Sequence, residues 1–334
     1  MTSTVNSTMI GLVLHVNFCI FKFMEGFPIK KFLSFVTVFA LVLVIAACGN
    51  GEEGTDDGSA EAKNNDEEVN YSEAVDYTIY GIEPGAGITE LAHNTLDTYE
   101  NLDGWTLEES STGGMMTELR DAIDNEEPIF ITGWSPHYKF VEFDLKYLED
   151  PEGGMGETED VHTIARLGLE EDKPEAYQML DAFSWDLEDM EQVMYEGEDS
   201  TYTEAAEAWV DNNRDKVDEW VDGIEPVDGE SFELVSMSWE SEVASAEVVR
   251  TVLEELGYEV TVTDVDPAVV FQAIANGEAD ATVAPWLPVT QGHHYEEHEG
   301  NFEDLGPNST NTKNGIVVPE YMDIDSIEEL EPAE

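Results

Sequence analysis

Residues 129–138 read IFITGWSPHY. Ile129, Phe130 and Ile131 make the short β-branched and aromatic run expected of a buried strand. The run passes directly into Gly133, Trp134 and Pro136. Open α/β sheets bind ligands beyond the carboxyl ends of their strands, so Trp134 stands where a ligand-facing side chain is expected. The same grammar returns in residues 281–288, ATVAPWLP, where Trp286 is followed two residues later by Pro288. One such tryptophan is most simply a core plug. Two in the same local frame point to a duplicated unit with a site between the copies.

The chain upstream of each tryptophan supports the duplication. Before Trp134 come a strand at Tyr77–Tyr80, a glycine-rich turn at Gly81–Ile88, and a helix with Leu91, Thr95 and Leu96 on one face. A strand at Trp105–Leu107, a helix at Met115–Ile123 and a strand at Pro128–Thr132 follow. A glycine turn between strand and helix offers backbone N–H groups at a positive helix end, suited to a carboxylate or phosphate, though such turns also arise for steric reasons. Before Trp286 the order is strand Phe232–Met237, a helix through Val248, Val249, Val252, Leu253 and Leu256 stopped by Gly257, and strand Tyr258–Thr263. A helix Ala268–Asn276 capped by Gly277 and a strand Ala279–Ala284 complete it. Residues 173–221 read as mainly helical, with Pro174 opening one helix and Asp186 and Thr203 as caps of the next two. Trp105, Trp185, Trp209 and Trp220 read as core. Together these imply an α/β fold of two similar lobes facing across a cleft, able to close around a small ligand. Residues 76–162 with 302–330 form the expected first lobe, and 163–301 the second.

Residues 1–47 of the 334 read as a targeting region. Lys30 and Lys31 precede the apolar stretch Phe32–Ile45, and Ala46-Ala47-Cys48 is a small-residue cleavage site. Ile45–Cys48 resembles a bacterial lipoprotein signal, in which Cys48 is lipidated and becomes the new N-terminus. A plain signal peptide and a membrane anchor are the other readings. Residues 1–23 precede a second possible start at Met24 and read as an over-extended gene start, leaving Cys19 untranslated. Residues 48–75 read as a lipidated cysteine and an acidic tether. The folded part then holds no cysteine and lies on the outer face of the cytoplasmic membrane, without disulfides.

The formal net charge is −63. That excludes nucleic acid and the anionic membrane surface as partners of the folded surface. Because 41% of residues are hydrophobic, the chain is expected to fold despite its acidity. A halophilic surface, whose self-repulsion is quenched in concentrated salt, accounts for both observations.

The segments GIEPGAGI, ITGWSPHYKF with DLKYLEDP, HTIARLGL, SWESEVAS, ANGEADATVAPWLP, DLGPN and GIVVPEYM with DSIEEL resemble the glycine betaine/proline betaine substrate-binding lipoproteins of Gram-positive ABC importers. The resemblance spans Tyr77 to Leu330. It implies a two-lobed periplasmic-binding-protein-like fold of type II with the ligand between the lobes. It also implies a box of three tryptophans around a quaternary ammonium, at Trp134, Trp239 and Trp286. Gly87 and Ile88 fall where that family holds the ligand carboxylate with backbone N–H groups. The family's usual histidine, five residues after the third tryptophan, is replaced here by Gln291, with His293 and His294 close behind. His137 reads as structural or as support behind the box. Glu240 and Glu242 read as a solvated or helix-N-terminal pair able to tune it, and His293 as a further supporting residue.

The chemistry agrees with the resemblance. A trimethylammonium head has no N–H to donate, whereas aromatic faces attract its diffuse charge by about 0.5–2 kcal/mol each once desolvated. A box without carboxylates would favour the methylated cation over protonated amines. Glycine betaine, proline betaine and related zwitterions satisfy such a site equally; choline would leave the Gly87 and Ile88 donors unpaired and bind more weakly. An enzyme on the same fold would need a nucleophile–base pair or a metal cluster. His293 and His294 are adjacent and so are not expected to share a helical face; with His298 they make at most a stray metal site. A sensor domain serving a membrane receptor is a third reading. No GxxxxGK[ST] occurs, so an importer of this kind draws on a separate permease and ATPase. No cofactor and no metal are expected.

Overall fold

A computed structural model of the chain describes residues 69–333, and in it the two runs fold as twins. The first is β1 (Thr78–Gly81), α1 (Gly87–Thr98), β2 (Thr106–Glu109), α2 (Thr112–Asn125) and β3 (Ile131–Ser135). Strand β1 lies between β2 and β3 and is parallel to both. After β4 (Leu145–Tyr147) and β5 (Glu159–Arg166) come a single helical turn, Leu169–Asp172, and four longer helices: α3 (Pro174–Ala182), α4 (Leu187–Asp199), α5 (Tyr202–Asn212) and α6 (Arg214–Trp220). The second run is β6 (Ser231–Ser236), α7 (Glu240–Glu255), β7 (Glu259–Asp264), α8 (Pro267–Asn276) and β8 (Ala281–Thr282), followed by β9 (Trp286–Leu287). Here β6 lies between β7 and β8, again parallel to both.

A single long strand, β10 (Phe302–Pro319), joins the twins into one sheet of order β2-β1-β3-β10-β5-β8-β6-β7. Its first part pairs antiparallel with β5 from Phe302 to Thr312, and its second part with β3 from Lys313 to Val317. The pairing with β5 is irregular between Ser309 and Thr312, where Asn311 takes φ 65°. The mixed α/β architecture read from the sequence is thus present, with both β–α–β–α–β units in matching strand order.

Several boundaries differ from the sequence reading, each for a local reason. Strand β3 starts later and runs through Trp134, because Gly133, Trp134 and Ser135 pair with β10. Strand β8 is shorter than Ala279–Ala284. Asp280 turns its carboxylate to Arg166, Lys173 and the Glu233 amide, and Pro285 has no N–H to continue the ladder. The cap of α5 is Thr201, whose hydroxyl accepts from Glu204 N, whereas Thr203 donates to Glu247 at 2.8 Å. Asp186 stands at the cap of α4 without a capping bond, since its carboxylate pairs with Lys216.

Trp105, Trp185, Trp209 and Trp220 are buried in the core. Trp209 stacks on Trp220 with centroids 5.8 Å apart and meets Trp185 edge-on. The expected tether joins the fold before residue 75. Tyr71–Ala74 form a short helix capped by Asn70, and the Ser72 hydroxyl accepts from Glu331 N. The targeting region, Cys48 and the tether up to residue 68 lie outside the described residues. Among those described, no helix is long and apolar enough to cross a membrane.

Candidate ligand-binding site

The duplicated topology brings equivalent ends of both units to one cavity. Trp134 comes from the end of β3, Trp286 from the start of β9, and Trp239 from the cap of α7. All three line the same cavity, with Gly87 and Ile88 of α1, Thr290, Gln291, and Asn314 of β10. Counting its mouth, the empty space is about 340 Å³, at the small end for ligand sites. Trp134 and Trp286 are buried, and Trp239 is half-buried.

Gly87 and Ile88 open α1. The first N–H groups of a helix have no intrahelical acceptor, and the helix dipole makes that end positive. The cavity wall is therefore a ready anion site. It also demands a glycine: a Cβ on Gly87 would lie 2.8 Å from the Thr290 carbonyl oxygen.

Gln291 closes the turn that carries Trp286. Its Oε1 accepts from Trp286 N at 2.5 Å, while its own N–H donates to the Trp286 carbonyl at 3.0 Å. That arrangement assigns the amide and leaves Nε2 as the donor on the side chain that lines the cavity. Glu159 of β5 fixes the same loop from below. Its carboxylate accepts from Val289 N at 2.9 Å, from Thr290 N at 2.8 Å, from the Thr290 hydroxyl and from Asn314 Nδ2. Burial pushes the Glu159 carboxyl up, against the pull of these donors. The sequence reading passed over Glu159, although it stands in phase with the buried Val161 and Thr163 of its strand.

The first unit reaches Trp239 directly: Trp239 Nε1 donates to Glu83 Oε1 at 2.5 Å. Glu83 belongs to the turn before α1, and its other oxygen accepts from Thr112 N at 3.3 Å. Behind Trp134 lies a fully buried pair, His137 and Lys139. The His137 ring meets Trp134 edge-on at 4.7 Å, and its Nδ1 accepts from Lys139 N. Burial, then Lys139 and Arg120, holds His137 well below the usual histidine range. Lys139 Nζ lies 3.9 Å from the Trp134 ring centroid and donates to the Trp134 carbonyl. Burial depresses its amine, opposed by Glu240 and Glu191. Lys139 gave no signal in the sequence beyond sitting four residues past the tryptophan's neighbour Ser135.

Glu240 and Glu242 occupy the first turn of α7; Glu242 is buried, whereas the Glu240 side chain keeps 20% exposure. Glu240 Oε2 lies 3.8 Å from His137 Nε2, and burial raises its carboxyl. Glu242 is 4% exposed and lines the cavity itself. Burial pushes it up to about 7, against hydrogen bonds from Ser241, its own backbone N–H and the Trp286 side chain. A box free of carboxyl groups is therefore not what the chain builds.

His293 stands outside the tryptophan cavity, in a wider outer cleft with Glu83, Pro267 and His294. It is exposed, and its ring meets that of His294 at a 44° tilt with centroids 3.7 Å apart. The pair lies in the first turn of the short helix Gly292–His298.

The family model for the substrate-binding domain of ABC-type glycine betaine transport systems matches residues 59–212 and 231–334. The chain is 43% identical over 305 residues to the glycine betaine/carnitine transport binding protein of Listeria monocytogenes, covering 90% of this chain and 98% of that one. Among solved structures, it is similar to the lactococcal protein crystallised closed with glycine betaine, at 47% identity and a TM-score of 0.42. That match covers 43% of this chain and 57% of the other. The glycine betaine/L-proline-binding protein of Borrelia burgdorferi matches at 31% identity and a TM-score of 0.42, over 46% and 58% of the two chains. Both matches thus span less than two thirds of the crystallised chains.

Proposed function

This chain belongs to the family of substrate-binding domains of ABC-type glycine betaine transport systems, and from that premise we propose how it captures its ligand. It is the extracytoplasmic binding protein of an importer; the finer points are our reading. Glycine betaine, or a related quaternary-ammonium zwitterion such as proline betaine, places its methylated head among Trp134, Trp239 and Trp286. Its carboxylate meets the N–H groups of Gly87 and Ile88, with the Gln291 amide as a further donor. His137, Glu240 and Lys139 hold Trp134 and α7 from behind. His293 stays at the outer mouth.

The observation that carries this reading is the convergence of three tryptophans and one free helix N-terminus on a single small cavity. Aromatic faces suit a cation without N–H groups, and the helix end suits an anion. The two halves of the zwitterion thus find opposite walls. We further propose that residues 76–162 with 302–330, and residues 163–301, move as lobes that close on the ligand. Cys48 carries the lipid that holds the protein at the membrane, beside a permease and its ATPase.

Calorimetry with glycine betaine, proline betaine and choline tests the reading. Glycine betaine is expected to bind at least about tenfold more tightly than choline, which cannot use the helix N-terminus. Trp286→Ala is expected to weaken betaine by about tenfold or more. Undiminished binding by Trp286→Ala would remove the box.

A further inference from the structure

The cavity holds one group that a site for a permanent cation does not require, the carboxyl of Glu242. It shares the cavity with all three tryptophans. Ser241 Oγ donates to its Oε2 at 2.6 Å, and the Trp286 side chain donates to the same carboxyl. It sits in the first turn of α7, where a helix dipole favours negative charge. Two helix N-termini thus face this cavity. The end of α7 is occupied by its own acid, whereas the acid of the first turn of α1, Glu90, is exposed. A zwitterion therefore has one wall open to its carboxylate and another already furnished with a carboxyl facing its cation.

We propose that Glu242 touches the cationic head and exchanges a proton for it: protonated in the empty cavity, ionised once a quaternary ammonium enters. The inference rests on betaine as the ligand. On entry of the cation the Glu242 O–H bond breaks, the proton passes to solvent, and the carboxylate remains facing the ammonium. A head without N–H groups cannot accept or donate a proton itself, so the proton is released rather than shared.

The surroundings favour this exchange. Burial pushes the Glu242 carboxyl up to about 7, which leaves it substantially protonated at and below neutral pH. Glu240, on the same helix, adds to that push. The other charged groups nearby are turned elsewhere. Glu83 is bonded to Trp239, Glu159 to Thr290 and Asn314, and His137 and Lys139 stand beyond Trp134 beside Glu240. The groups facing the cavity from other elements, namely Trp286, Gln291 and Asn314, carry no charge. An incoming positive charge is thus the main influence able to lower the proton affinity of Glu242.

The sign follows from linkage. Binding the cation lowers the carboxyl's proton affinity, so betaine binds more tightly as pH rises towards about 7 and levels off above it. Below that, affinity falls by up to about tenfold per pH unit, with release of up to about one proton per ligand.

Calorimetry of glycine betaine binding to the mature protein at pH 6, at fixed salt, in buffers of different ionisation enthalpy reads this directly. The parent is expected to show heats that scale with buffer ionisation, and an affinity that rises from pH 5 to 7. Glu242→Gln is expected to bind with buffer-independent heats and a flat pH profile. Ser241→Ala removes a donor to the carboxylate, and is expected to move the parent's profile to higher pH while leaving the carboxyl in place. Buffer-independent heats in the parent overturn the proposal, as does proton release that persists in Glu242→Gln or an unshifted profile in Ser241→Ala. Betaine binding without proton release leaves the transport reading standing and sinks this one alone. Absence of betaine binding at every pH sinks both.

Discussion

Trp239 and Glu83 lie 156 residues apart in the chain and meet at 2.5 Å, indole N–H to carboxylate. The contact ties the cap of α7 to the turn that precedes α1, so the third tryptophan is oriented by the opposite unit. Removing the acceptor is expected to free the ring. Glu83→Ala should weaken glycine betaine by about tenfold, the scale of one hydrogen bond to a charged group. Glu83→Gln, which keeps an acceptor, should recover much of the loss. Equal affinities for parent and Glu83→Ala would show that Trp239 holds its place without help.

Gly87 and Thr290 stand so close that a single methyl group cannot be inserted between them. Gly87→Ala is therefore expected to hold the two walls apart. Betaine affinity should fall by more than about tenfold, and because the clash is present without ligand, the melting temperature should fall as well. Urea and betaine titrations of the same sample separate these effects. A variant that binds normally would mean that the loop carrying Thr290 retreats at negligible cost.

A net charge of −63 leaves the acidic surface repelling itself. Screening lengths run from about 3 Å in molar salt to about 30 Å at 0.01 M. The melting temperature should therefore climb by many degrees as salt rises from millimolar to molar, and sodium sulfate is not needed to produce it. A melting temperature that ignores dilution would dissociate this acidity from stability.

Asp280 is 5% exposed and is held by Lys173, Arg166 and the Glu233 amide. Burial alone would raise its carboxyl, yet these partners together bring it below the usual aspartate range. A group depressed on folding contributes stability above its unfolded value, about 3.9, and loses it as pH falls through the lower folded value. Asp280→Asn should thus cost about 3 kcal/mol at neutral pH, the scale of an orphaned buried pair. The gap between parent and variant should narrow as pH drops below about 4. Urea midpoints across pH 2–7 measure it, and a gap constant with pH would acquit the carboxylate.

The parts of this molecule legible in the sequence are those set by short-range rules. Alternating and helical periodicity, with glycine stops at Gly257 and Gly277, was enough for the two β–α–β–α–β units, and the repeated Trp-x-Pro frame for their common ligand end. From the residues alone, the lining was legible at Trp134, Trp286 and the Gly87 turn; Trp239 and Gln291 came from the family resemblance. Glu83, Glu159 and Lys139 escaped because their roles depend on partners more than a hundred residues away or on burial decided by the opposite unit. Glu242 was read correctly as helix-N-terminal, but its burial in the cavity was not legible, for a related reason. In sequence it is one acid among many, and only the fold around the cavity removes it from water.

Strand β10 pairs with both halves of the sheet, and it also delivers Asn314 to the cavity floor, two residues past Thr312, whose hydroxyl donates to the Glu159 carbonyl. The connector and the binding surface are consequently one ribbon. A bend at the irregular stretch around Asn311 would swing Asn314, and through Glu159 the Thr290 loop, by the same stroke. In mechanical terms the tryptophan cavity lies beside a potential fulcrum, so a few small contacts there would have leverage over the posture of the sheet's two halves.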